Sequence, residues 1–215
     1  GIIDEWRKLW SPPEVRATDL FRPLGKSVRP EIPMAATFPS LAPVPTSGVT
    51  AVATSLDRES YGALLREAEH RDEVGALLLR RAGAFFERRY LLAVHSGKIA
   101  GWLAAGSGVV LDDVQSFAVA QDGPSILLTV TGESAFSGML PAGPINDALV
   151  EIMGNPPPLE VAIVPLSVKN RIVAYLVGEM PKNDRAHPKL DDLMQAARKA
   201  GLALEVLILK KKISA

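Results

Sequence analysis

Two apolar ribbons, each folded back on itself through a tight turn, restrict this chain more than any other feature of its sequence. Tyr90 to His95 reads as a strand, Ser96-Gly97 as a two-residue turn, and Lys98 to Ala105 as the returning strand. Leu159 to Leu166 and Arg171 to Val177 repeat the pattern through Lys169-Asn170. Strands joined this way pair antiparallel, so a doubly wound parallel sheet is excluded and the class is α+β. Ser116 to Val119 predicts one more short strand between the hairpins.

Helical patterns surround the ribbons. Ser55 is placed to cap a first helix with Asp57 in its first turn, and Leu56, Leu64, Leu65 and Ala68 share a face. Asp72 to Phe86 is also helical, either continuous with the first stretch or broken from it near His70-Arg71. Ser125 to Thr131 has strand propensity, yet Asp122 and Pro124 suit a helix start, and the reading leans to helix. Pro144 to Met153 is a helix closed by Gly154. A last helix begins at Pro188. Its apolar stripe is Leu190, Leu193, Met194, Ala197, Leu204 and Leu207 or Ile208, with Lys210-Lys211-Lys212 at its C-terminal end.

Eight of the 17 prolines fall before residue 46. This divides the chain into a proline-rich arm, residues 1–54, and a folded body, residues 55–215. Within the arm, Ile2, Ile3, Trp6, Leu9 and Trp10 lie at helical spacing on one face until Ser11-Pro12-Pro13 stops the helix. So short a helix is marginal alone, and Trp6 and Trp10 need a surface, either this protein's own body or a partner. The stretch Ile32 to Leu56 is uncharged, but its prolines argue for linker over membrane span. The start Gly1-Ile2-Ile3-Asp4-Glu5 has acids where a secretory signal carries bases. The expectation is a cytoplasmic protein without membrane contact. Gly1 in place of Met points to a longer parent chain.

Composition narrows the chemistry. Twenty-four basic residues balance 24 acidic ones, leaving no net field to attract nucleic acid or an anionic membrane. With no cysteine there are no disulfides, thiolate metal sites or thiol nucleophiles. Other motifs dissolve on inspection. Gly25-Lys26-Ser27 lacks the phosphate-loop glycine, since position 20 is Leu20. Gly132-Glu133-Ser134-Ala135-Phe136 lacks the last glycine of a nucleophile elbow, and Ser134 reads as a turn residue. His70, His95 and His187 have no second histidine at metal-sharing spacing. Asp112-Asp113 reads as a solvated loop pair, and Asp191-Asp192 as a favourable first helical turn. Gly101, Gly106 and Gly108 mark either a tight bend or close approach of a ligand. No catalytic, cofactor or metal residue is expected.

The order helix, hairpin, short strand, insert, hairpin, long helix resembles the GAF-like family of bacterial signalling proteins. The resemblance spans Ser55 to Ile213. It is carried by Phe86-Glu87-Arg88-Arg89-Tyr90-Leu91-Leu92-Ala93-Val94, by Gly97-Lys98-Ile99-Ala100-Gly101-Trp102, by Ala162-Ile163-Val164-Pro165-Leu166 and by Arg171-Ile172-Val173-Ala174-Tyr175-Leu176-Val177. A roadblock-like dimerisation fold is the nearest rival, but it is shorter and lacks the insert. The resemblance implies an antiparallel five- to six-stranded sheet flanked by helices. It also implies either a docking and dimerisation module or a small-molecule sensor. Bilin-binding and sulfoxide-reducing members need cysteines, which this chain lacks. The cyclic-nucleotide motif finds only Lys182-Asn183-Asp184, lacking the Phe and Glu and inverting the order, so no family site residue carries over.

The expectation is therefore a non-enzymatic regulatory domain that docks to itself or to another signalling protein or domain. A homodimer interface is expected at Leu64, Leu65, Leu193, Ala197 and Leu204, with Trp6 and Trp10 as a tethered contact. Were the domain a sensor of a nucleotide or metabolite, its pocket would involve His95, Gly106 and Asp112.

Overall fold

The computed structural model describes residues 56–132, 134–154, 156–180 and 190–214. The arm with Trp6 and Trp10, the Ser55 cap and the Pro188 helix start lie outside them. The described chain runs α1 (Arg58–Glu67), α2 (Arg71–Ala82), β1 (Arg89–His95), β2 (Lys98–Ala105), α3 (Leu111–Ser116), β3 (Ala118–Ala120), α4 (Ile126–Thr129), β4 (Phe136–Gly138), α5 (Pro144–Ile152), β5 (Val161–Val168), β6 (Arg171–Glu179) and α6 (Leu190–Ile213). No described helix is long and apolar enough to cross a membrane.

Both hairpins turn at the expected residues, although β5 runs from Val161 to Val168 and not from Leu159 to Leu166. Ser96 and Gly97 have φ of 49° and 74°, and Lys169 and Asn170 have 48° and 62°. Two successive positive φ values make the turn whose twist matches flanking strands. The six strands are ordered β3-β2-β1-β6-β5-β4, every pair antiparallel. The two hairpins thus meet at β1 and β6, where Leu91 faces Leu176.

Alternation along the central strands feeds two cores. Leu91, Ala93, Ala174 and Leu176 pack beneath α1, α2 and α6. Tyr90, Leu92, Tyr175 and Val177 pack beneath the segments between the hairpins. Coverage on both faces explains why β5 and β6 read as continuous apolar runs instead of alternating ones.

The helix expected from Asp72 to Phe86 ends at Ala82, with Gly83 as its C-cap. Three further local readings change. Asp112 and Asp113 are not loop acids; they occupy the first turn of α3, where negative charge is favoured, and Val114 buries against β2. The strand expected from Ser116 starts at Ala118 because that helix ends at Ser116. β4 was not foreseen, since three residues paired with Val161 to Ile163 are too few to show a period.

Asp57 caps α1, accepting from the Glu59 and Ser60 N–H groups at 2.9 Å each. Glu73 of α2 reaches back to the N–H groups of Glu69 and His70. These bonds hold both carboxyls below their ordinary range, the Ser60 N–H contributing most for Asp57 and the Glu69 N–H for Glu73. A depressed folded-state pKa adds stability above the unfolded pKa and loses it as pH falls through the folded value. Asp57→Ala is expected to lower the neutral-pH melting temperature by a few degrees. The gap to wild type should then close in acid. A gap that persists well below the carboxylate range would contradict the cap's assigned role.

Candidate functional site

The face of the sheet beneath the insert is filled by side chains. Tyr90, Leu92, Leu127, Leu149, Ile163 and Tyr175 are each at most 4% exposed. The Tyr90 hydroxyl donates to the Met153 carbonyl and the Tyr175 hydroxyl to the Leu127 carbonyl, each at 3.2 Å. Burial pushes the Tyr90 phenol up to about 12, partly opposed by Arg88, and raises that of Tyr175. Both phenols are therefore protonated donors that satisfy backbone groups inside an apolar layer.

His95, Gly106 and Asp112 do not converge. His95 pairs with Lys98 at the turn end of the first hairpin, while Arg89 pairs with Ala105 at the other end, just before Gly106. Six residues of strand separate the two ends by roughly 20 Å. The His95 ring lies 3.2 Å from Ser96 Oγ. Gly106 has φ of 142°, and a Cβ there would lie 2.4 Å from the Glu87 carbonyl oxygen, so it serves a tight bend. Asp112 is exposed on α3. Ser134 is a turn residue, its Oγ accepting from the Thr131 N–H.

The expected interface residues also lie elsewhere than on a free surface. Leu193 is 0% exposed, Ala197 and Leu204 1%, and Leu65 6%; all belong to this domain's own core. The reason is the sheet contact of α6. Ala197, Ala200 and Gly201 present small groups to β5, and an ideal Cβ on Gly201 would lie 2.2 Å from the Ser167 carbonyl oxygen. That side of the helix is pressed to the sheet. Leu64 is half-buried on the far flank of α1.

What α6 leaves open is a second stripe. Leu202 is 63% exposed, Val206 48%, Leu209 42% and Ile213 87%. Their spacing of four, three and four residues puts them in one line. At 100° per residue that line lies diametrically opposite Leu204. Sequence reasoning missed it by taking one stripe from a helix that carries two; the 4-3-4 spacing was the available signal.

Beside the stripe, α1 and α6 frame a cleft of about 360 Å³. Gly62, Leu65 and Ala68 form one wall and Leu202, Ala203 and Val206 the other, with Arg66, Lys199 and Lys210 at the rim. Arg58 pairs with Asp192 and fixes the start of α1 to the start of α6. The Tyr61 hydroxyl donates to the Ala196 carbonyl at 2.9 Å, a second tie between the same helices. The arrangement has apolar area and a cationic border, with two polar ties joining its walls at one end. It is suited to covering by another apolar surface, and it gathers no nucleophile with a base.

No protein-family model matches the chain. No curated protein matches it either. Solved structures do. A methyl-accepting chemotaxis protein, residues 122 to 287, superposes with a TM-score of 0.56 at 16% identity, covering 70% of this chain and 98% of that one. The phycocyanobilin-bound GAF domain of a cyanobacterial phytochrome gives 0.56 at 15% identity, over 73% and 98%. The GAF domain of a two-component sensor histidine kinase from Bacillus halodurans gives 0.50 at 14%, over 67% and 99%. The fold is that of a GAF domain.

Proposed function

We propose that this GAF-like domain is a non-enzymatic regulatory module of a bacterial signalling protein, and that it acts by pairing α6 in parallel with α6 of a second copy. The fold likeness to sensor kinases and a chemotaxis protein supports the signalling role. The observation that carries the pairing is the exposed stripe. Read as a heptad, Val206 and Ile213 take the a positions and Leu202 and Leu209 the d positions. β-Branched residues at a with leucine at d favour two parallel strands. In that register Glu205 at g lies opposite Lys210 at e of the partner, a favourable pair. Within one copy Glu205 pairs with Lys169 at 3.6 Å on the surface, a contact of small value.

A small-molecule sensor has less support. The phytochrome domain named above holds a bilin. In this chain the sheet side beneath the insert carries packed aromatic and aliphatic groups, and no cysteine exists to attach a chromophore. Light scattering tests the pairing. The chain should run at twice 23.0 kDa at micromolar concentration, and Val206→Glu should run at 23.0 kDa with unchanged circular dichroism. A wild-type chain at 23.0 kDa throughout would overturn the proposal.

A further inference from the structure

A second groove runs along the other flank of α1, between α1 and α2. Its volume is about 310 Å³, its floor is Leu64, Ala68, Ala76 and Leu77, and Glu67 and Arg80 stand on its opposite walls. Glu73 also lines it but is committed to the Glu69 and His70 N–H groups. The groove is separate from the α6 stripe. We infer that it is the seat of this chain's own first ten residues, Gly1 to Trp10, docked as a helix in cis.

Three observations select that occupant. Ile2, Ile3, Trp6, Leu9 and Trp10 cover one helical face, and a helix of that length needs a surface to form. Two indoles bring about 150–250 Å² each of area to bury. The tether also fits. Residues 11–55 have a contour of roughly 150 Å and run directly into α1, one wall of the groove. A tethered segment binds at a high effective concentration, so modest contacts suffice.

Charge separates this groove from the other. On a helical wheel Glu5 borders one edge of the apolar face and Arg7 the opposite edge. Between α1 and α2 the walls are one acid and one base. The segment can lie with Arg7 over Glu67 and Glu5 over Arg80, which fixes its direction. The cleft between α1 and α6 has Arg66 on one wall and Lys199 and Lys210 on the other. Arg7 would meet like charge there in either direction.

Tryptophan fluorescence of the full chain tests the assignment. Trp102 is buried, so subtracting the Trp6→Phe/Trp10→Phe spectrum isolates the arm. The arm signal should be blue-shifted and shielded from iodide at every protein concentration. Ala76→Glu, at an exposed position inside the groove, should red-shift it and remove the shielding. Glu67→Lys should do the same, and Arg7→Glu in that background should restore it. The charge-swap pair decides the matter should Ala76→Glu lose its helical circular dichroism. Free quenching of the wild-type arm would overturn the inference. So would shielding that depends on concentration, which means docking in trans. Shielding that survives both groove variants, or that Val206→Glu abolishes, places the arm on another surface and equally overturns it. A monomeric wild type with a shielded arm would refute the α6 pairing alone.

Discussion

Replacing Arg88 by alanine is expected to destabilise the fold by about 3–5 kcal/mol, the range for breaking a buried pair by deleting one partner. Arg88 sits one residue before β1 and is 9% exposed. Its guanidinium donates to the Glu179 carboxylate and to the carbonyls of Met153 and Pro156, the last at 2.8 Å. One side chain therefore fastens the end of β6 and the C-terminus of α5, where carbonyls lack helical partners. Glu179 raises the Arg88 pKa, against the opposing effect of burial, so the cation is held. Removing it strands Glu179 and frees the segment after α5. Arg88→Lys should recover only a fraction, since an ammonium cannot reproduce the planar fork. Glu179→Gln should cost less than Arg88→Ala, because an acceptor oxygen remains. Urea unfolding measures all three. An Arg88→Ala chain within about 0.5 kcal/mol of wild type, the scale of surface substitutions, would contradict the assignment.

Gly201→Ala is the second large effect, and its sign is diagnostic. Helix propensity alone predicts about 0.8–1.0 kcal/mol of stabilisation for glycine to alanine in a helix interior. Packing predicts the reverse. The added methyl would lie 2.2 Å from the Ser167 carbonyl oxygen, a backbone atom of β5 that cannot rotate aside. Overpacking of this kind costs roughly 1–3 kcal/mol, and more where backbone must move. The net expectation is a loss of up to about 2 kcal/mol after the propensity gain is deducted, in place of the gain that propensity alone predicts. A variant more stable than wild type would mean that α6 does not lie against β5 as described. Its outer stripe would then need a different account.

The parts of the fold legible in the sequence were those set by local chemistry. Ser96-Gly97 and Lys169-Asn170 reported their turns because two-residue hairpin loops demand positive φ. Pro144 and Gly154 bracketed α5 by helix-end rules. β4 was illegible because it owes its existence to β5, not to its own three residues. The site was harder for the same reason. Leu193 and Leu202 are alike in sequence, and only the contact with β5 decides which is core. Ala197, Ala200 and Gly201 marked the sheet side by their small size, a signal that a search for large apolar residues passes over. His95, Gly106 and Asp112 were expected around one pocket between the sheet and its loops, whereas the first hairpin puts His95 and Gly106 at opposite ends of its strands.

The central claim, that the stripe from Leu202 to Ile213 meets its own copy in parallel register, has a direct measurement. The chain has no cysteine, so Val206→Cys carries a single thiol. In a parallel pair the two 206 positions face each other at a distance compatible with a disulfide, about 4.4–6.8 Å between Cα atoms. Under mild oxidation Val206→Cys should form a covalent dimer quickly. Lys211→Cys, which points away from the proposed seam, should not. Equal rates at the two positions, or no cross-link at 206, would contradict the account.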